Sequence, residues 1–186
     1  MRDEVDFKLR QFAIEYIKTS NNVENLRGKG DITRVSVERL CAGPAVPLIY
    51  AFLKQEYPDV ESPLSESIQF DAMTSGDIIR AGMSKTNPDP LCKMVVAKFA
   101  EILATALGNT ALNCIPYGGI YMVGGVTTGI QEFIEHDSNF LATFYEKGRL
   151  QAMVRRVPLF IVRPEVELGI LGAEECAFRE LGCFSV

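Results

Sequence analysis

Two short apolar runs, each fenced by glycine or proline, set the limits on what this chain can become. Ile120, Tyr121, Met122 and Val123 stand between Gly118-Gly119 and Gly124-Gly125, and Pro158-Leu159-Phe160-Ile161-Val162 stops at Arg163-Pro164. Runs of this length with such bounds read as strands, and helical patterning fills the chain between them. Two strands joined through helices pair in parallel by a right-handed crossover. The expected class is therefore α/β, helix-rich, with about two parallel strands. Parallel sheets normally have more strands and are buried on both faces, so these two read as the last strands of a larger sheet. In open α/β sheets ligands lie beyond the carboxyl ends of strands, where the pair Gly124-Gly125 lets a flat group approach the backbone. The plainer alternative is a strand followed by a tight turn.

Composition narrows the class of partner. A chain of 186 residues with 47% apolar and 23% charged residues can bury the core of one globular unit. Its net charge of −5 comes without any basic helical run, which argues against nucleic-acid and anionic-membrane partners and in favour of small molecules. The cysteines at 41, 92, 114, 176 and 183 form no C-x-x-C pair, so packed thiols in a reducing compartment are expected. The single histidine, His136, sits in a polar run that reads as a solvated loop, and no metal site is expected. No apolar stretch is long enough to cross a bilayer, and the acidic start is unlike a secretory signal, so cytoplasm is the expected compartment.

Along the chain, Val5, Leu9, Phe12, Ile14, Tyr16 and Ile17 mark a helix over about 3–19, followed by a polar excursion over 20–34. Its GKGD core lacks the spacing of a phosphate loop. Ser36 is placed to cap an element through Leu40 that stops at Gly43-Pro44, and a second helix covers Pro47 to Gln55. A loop with Pro63 leads to Thr74-Ser75-Gly76-Asp77, which can cap a helix through Ala81, and Asn87-Pro88-Asp89-Pro90 breaks the chain again. From Leu91, apolar residues at 95, 99, 102, 103 and 106 predict the longest helix, ending near Gly108 or Asn113 and lying against the sheet. Short helices are expected over Gln131–Ile134 and Asn139–Tyr145, the second closed by Lys147-Gly148-Arg149, then another short one. A last helix runs from Leu168 to about Leu181.

Five segments in this order carry a resemblance: Ser36-Val37-Glu38-Arg39-Leu40 with Gly43-Pro44; Gly108-Asn109-Thr110-Ala111-Leu112-Asn113; Gly118 to Gly125; Phe144-Tyr145-Glu146-Lys147-Gly148-Arg149; and Leu168-Gly169-Ile170-Leu171-Gly172-Ala173. Together they resemble bacterial-type (group A) ATP-dependent glucokinases, also found in trypanosomatids, within the sugar kinase, actin and Hsp70 superfamily. The resemblance implies that residues 1–186 are the C-terminal part of the large domain, an actin-like ATPase (RNase H-like) domain. It implies transfer of the ATP γ-phosphoryl group to the 6-hydroxyl of glucose, with ATP and Mg²⁺ as cofactors and a homodimer as the assembly. Glu38 would accept hydrogen bonds from glucose hydroxyls, while Gly124, Gly125, Gly169 and Gly172 would lie against the nucleotide. Where the family commonly has a further glycine, this chain has Glu174. The family's DxGGT and GTGLG phosphate loops, catalytic aspartate and EGGH sugar motif do not appear before Ser36, so no catalytic residue is assigned and the chain alone is expected to be inactive. A glycosomal address would need a signal other than the present terminus. The alternative is a noncatalytic actin-like half-domain used for dimerisation or nucleotide binding.

Overall fold

The computed structural model describes residues 4–19, 34–162, 165 and 167–182. The expected excursion over 20–34 and the Arg163-Pro164 stop of the second strand therefore lie almost wholly outside the described residues. Helix α1 (Glu4–Thr19) begins with Glu4 and Asp6 in its first turn, where carboxylates oppose the positive end of the helix dipole. It buries Leu9, Ala13, Ile14 and Ile17 along one stripe. A short α2 (Glu38–Cys41) turns at Gly43-Pro44 into α3 (Ala45–Glu56), which tolerates Pro47 because the first helical turn needs no intrahelical donor. The residue flanking α2 is Val37 rather than Ser36, and Ser36 contributes its carbonyl, which accepts from the Arg39 N–H at 3.1 Å.

The expected loop around Pro63 is partly helical, with α4 (Pro63–Ser67) and a single 3₁₀ turn at Phe70–Ala72. Helix α5 (Ser75–Gly82) starts with a reciprocal cap: Asp77 N–H donates to Thr74 Oγ1 at 3.2 Å and Thr74 N–H donates to the Asp77 carboxylate at 3.0 Å. Helix α6 (Pro90–Cys114) is the axle of the fold. Pro90 sits at its first position and Asp89 caps it by accepting from Cys92 N–H at 2.8 Å. Its buried residues include Leu91, Val95, Val96, Phe99, Ala100 and Ala104. These pack chiefly against α3, α5 and α9 (Ser138–Tyr145), so the helix lies among helices rather than against the sheet as its apolar pattern suggested. Two glycines permit that closeness: a Cβ at Gly82 would come within 2.7 Å of the Cys92 carbonyl, and one at Gly108 within 2.5 Å of the Phe144 carbonyl oxygen.

After α6, Ile115 takes a left-handed φ of 46° and the chain enters β1 (Ile120–Met122). Helices α7 (Gly125–Gly129), α8 (Gln131–His136) and α9 follow, then α10 (Gln151–Val154) and β2 (Leu159–Ile161). The two strands pair in parallel with Tyr121 opposite Phe160, as the crossover argument required. They are not buried on both faces. Tyr121 and Phe160 are exposed, and their rings stack at 4.9 Å, whereas Met122 is buried beneath. The exposure reflects a described sheet of only two strands, with no helix packed over its outer face. Helix α11 (Leu168–Glu180) buries none of its residues and has no substantial packing against any other described element.

Two compositional expectations are corrected. Cys92 is buried and Cys41 half-buried, but Cys114 and Cys176 are exposed, because one lies at the open end of α6 and the other on α11. His136 is exposed as expected, yet it closes α8 rather than occupying a loop, with Nδ1 2.8 Å from the Glu132 carbonyl oxygen one turn earlier. Among the described residues no helix is long and apolar enough to span a membrane.

Candidate functional site

The region where the sequence placed ligand chemistry is organised by Gly43, a residue that the sequence offered only as a helix stop beside Pro44. Its carbonyl accepts from Val46 N–H at 3.1 Å, joining α2 to α3, and from Ser75 Oγ at 2.7 Å, joining that turn to the start of α5. A Cβ on Gly43 would meet Val126 Cγ2 at 3.4 Å, so the first turn of α7 rests on the same point. Helix α7 is held from its other end too, because Gly129 lies against the Ile79 side chain of α5. The α2 element that carries Glu38 and the helix that opens at Gly124-Gly125 are thus built on one junction.

Glu38 lies in the single turn of α2 and is exposed. Its backbone carbonyl accepts from Ala42 N–H at 3.0 Å, and an ionised carboxylate at this exposed position offers only acceptors. One turn on, burial and the negative charge of Glu38 both push the Cys41 thiol up, so that thiol stays protonated at neutral pH. Behind α2, a groove of about 480 Å³ runs between α1 and α6, lined by Val37, Leu40, Leu9, Ile102, Asn109 and Thr110 among others. Glu38 is not among its lining residues.

Gly124 stands directly beyond the carboxyl end of β1 with φ 105° and ψ 161°, a conformation open essentially to glycine alone. Its carbonyl accepts from Thr128 N–H at 3.1 Å and Thr128 Oγ1 at 3.2 Å, which closes the first turn of α7. Gly125 differs: its φ is ordinary and a Cβ there would touch nothing within 4 Å. The same open surroundings hold at Gly169 and Gly172 on α11. The structure therefore associates Glu38 with Gly124 and Gly125 through Gly43, and leaves Gly169 and Gly172 on a helix set apart from them.

Helices α3, α4 and α6 are joined by a polar network that the sequence pointed to only as a break. The Asp89 carboxylate is 4% exposed and accepts from Ser62 Oγ at 2.8 Å, Leu64 N–H at 3.0 Å and Cys92 N–H at 2.8 Å. Tyr50 lies 2.8 Å from Ser62 Oγ, and since the serine proton is committed to Asp89, the tyrosine hydroxyl is the donor. Burial pushes the Asp89 carboxyl up, but the three donors outweigh it and hold it below the usual carboxylate range. The Asp-Pro pair was the readable signal, because an N-cap acid followed by proline at the first position is a helix start.

A family model described as Glucokinase matches residues 10–180. A glucokinase of Trichormus variabilis is 31% identical over 188 residues, covering 96% of this chain and 50% of its own length. One from Nostoc punctiforme is 30% identical, with the same 96% and 50% coverage. A crystal structure of glucokinase from an Antarctic psychrotroph superposes with a TM-score of 0.62 at 20% identity, covering 95% of this chain and 46% of that one. That likeness shows the fold, a helix-rich α/β arrangement of the actin-like ATPase class with two parallel strands. The chain spans about half the length of the curated relatives it matches.

Proposed function

The chain belongs to the glucokinase family, and from that membership we propose that residues 1–186 are the C-terminal portion of the large domain of an ATP-dependent glucokinase. The complete enzyme transfers the γ-phosphoryl group of ATP to the 6-hydroxyl of glucose, works as a homodimer and resides in the cytoplasm. The observation that carries this reading is the shared junction at Gly43, which ties the turn bearing the exposed Glu38 and the helix that opens at Gly124-Gly125 to the same support. Glu38 accepts hydrogen bonds from two adjacent sugar hydroxyls, a task for which an ionised carboxylate without a donor of its own is suited. Gly124 and Gly125 leave backbone uncovered where adenine or ribose lies flat, and Gly169 and Gly172 contact the same nucleotide from α11.

In this role the chain binds and orients, and phosphoryl transfer itself needs in addition a base on the acceptor hydroxyl and groups that neutralise the moving phosphoryl. Mg²⁺, where bound, would supply that neutralisation. No residue of this chain is assigned to the ion, and the described residues contain no cluster of three or more metal-ligating side chains.

The test is calorimetric titration of the purified chain with glucose and with ATP, alongside a coupled assay of ADP release. Weak binding of each ligand, loss of glucose binding in Glu38→Gln, and no turnover are expected. Glucose-dependent ADP release from this chain would refute the assignment of catalysis elsewhere. Binding of ATP without glucose would favour a noncatalytic actin-like half-domain that binds nucleotide.

A further inference from the structure

The turn that carries Glu38 has little of its own to hold it. Helix α2 is four residues long, buries none of its side chains and has no side-chain cap at its start. A single helical turn costs more to nucleate than its own hydrogen bonds return, so tertiary contacts must fix it. Leu40 packs partly against the core. The contact that reaches α2 through its backbone is made by Ser75. The Ser75 hydroxyl donates at 2.7 Å to the carbonyl of Gly43, and the preceding residue, Ala42, donates its N–H to the Glu38 carbonyl at 3.0 Å. Only the Ala42-Gly43 peptide lies between those two hydrogen bonds.

That hydroxyl has no duty in its own helix. Ser75 is the first residue of α5, and the cap is made by its neighbour, since Asp77 N–H donates to Thr74 Oγ1. Serine near a helix start commonly bonds to local backbone, whereas the Ser75 proton goes to a carbonyl 32 positions earlier. Helix α5 is itself fixed by the buried Ile78, Ile79 and Gly82, so Ser75 ties a weak turn to a firm one. Helix α7 does not depend on this bond. Val126 faces Gly43 where a Cβ would stand, not at the carbonyl, and α7 is held to α5 directly where Gly129 meets Ile79.

We propose that Ser75 is a positioning residue for the sugar: by holding the Gly43 carbonyl it sets the turn from which the Glu38 carboxylate reaches the hydroxyls of glucose. It touches no substrate in this role and leaves the nucleotide glycines where they are. The proposal rests on the assignment of Glu38 to glucose.

The experiment is calorimetric titration of the 186-residue chain and its Ser75→Ala, Ser75→Thr and Glu38→Gln variants with glucose and, separately, with ATP, alongside amide hydrogen exchange of each. Alanine at the first position of α5 leaves the Thr74–Asp77 cap in place, so the fold is expected to persist. Ser75→Ala is expected to weaken glucose binding roughly threefold to tenfold, the weight of one ordinary hydrogen bond, with ATP affinity unchanged. Exchange at the Ala42 amide rises in the same variant, while exchange in the middle of α6 does not. Ser75→Thr keeps a hydroxyl and restores both. Equal losses of glucose and ATP affinity, faster exchange throughout the chain, or a threonine variant no better than alanine would each overturn the positioning role. Glucose binding that is lost in Glu38→Gln but indifferent to Ser75→Ala would overturn it too, while leaving the Glu38 reading intact. A chain that binds no glucose, or whose glucose binding survives Glu38→Gln, would overturn that reading and the proposal with it.

Discussion

Asp89→Ala is the perturbation that most directly tests how the site elements are supported. The substitution removes the N-cap of α6, which costs about 1 kcal/mol, and strips two further donors, Ser62 Oγ and Leu64 N–H, of their acceptor. A buried donor left without a partner costs about 1–3 kcal/mol, and Ser62 can recover part of that by turning its proton elsewhere. The combined loss is therefore about 3–5 kcal/mol, a large share of the 5–15 kcal/mol typical of a domain. With urea m-values of about 1–3 kcal/mol/M, the unfolding midpoint should fall by roughly 1–5 M, monitored by far-UV circular dichroism. Asp89→Asn should lose less, because an amide oxygen still accepts while its NH₂ faces donors. The pH dependence has a fixed sign. The folded carboxyl titrates below its unfolded value, so its stabilisation is present above the unfolded pKa of about 3.9 and is lost as pH falls through the folded one. The acid limb of a stability profile should flatten in Asp89→Asn. A loss under about 1 kcal/mol for Asp89→Ala would refute the claim that this carboxylate holds α6, α4 and the 62–64 segment together.

Gly124→Ala should destabilise the chain by about 1–2 kcal/mol in urea unfolding, because its φ of 105° is closed to a side chain. Gly125→Val should leave that stability within about 0.5 kcal/mol while weakening ATP binding by calorimetry, since its surroundings within the chain are open. Lys98 donates to Asp6 at 2.9 Å and to Glu101 at 2.9 Å and is only 11% exposed, so Lys98→Met should cost about 3 kcal/mol in chemical denaturation by leaving two carboxylates without that cation.

The sequence made visible those features whose cause is local. Asp89-Pro90 and Thr74-Ser75-Gly76-Asp77 state the starts of α6 and α5 in their own chemistry, and the glycine and proline fences placed both strands within a residue or two. What escaped depends on approach through space. Helix α4 is five residues long, and its second residue is tied to Asp89, which follows 25 positions later, so no local pattern could announce it. The exposure of Tyr121 and Phe160 was hidden for the same reason: their alternation with buried neighbours is clear only once the strands have paired and one face is seen to lack a cover. In the site, Glu38 came from a resemblance and Gly124-Gly125 from their place beyond a strand as well, while the joining role of Gly43 emerged only from the contacts of Ser75 and Val126.

The glycines divide according to whether the chain's own folding requires them. Gly82, Gly108 and Gly119 are required by close approach, since a Cβ would fall within 3 Å of backbone or a packed side chain. Gly124 is required by its φ. Gly76, Gly118, Gly125, Gly169 and Gly172 satisfy neither condition: each has an ordinary φ and no crowding where a side chain would stand. The two on α11 lie within a helix, where each glycine in place of alanine forgoes about 0.5–1 kcal/mol. For Gly125, Gly169 and Gly172, to which the proposal assigns the nucleotide, that open space leaves room for the contact. Helices α2 and α7 share the Gly43 junction, so on the proposed reading a group that displaces α7 at Gly125 would also load the turn that bears Glu38.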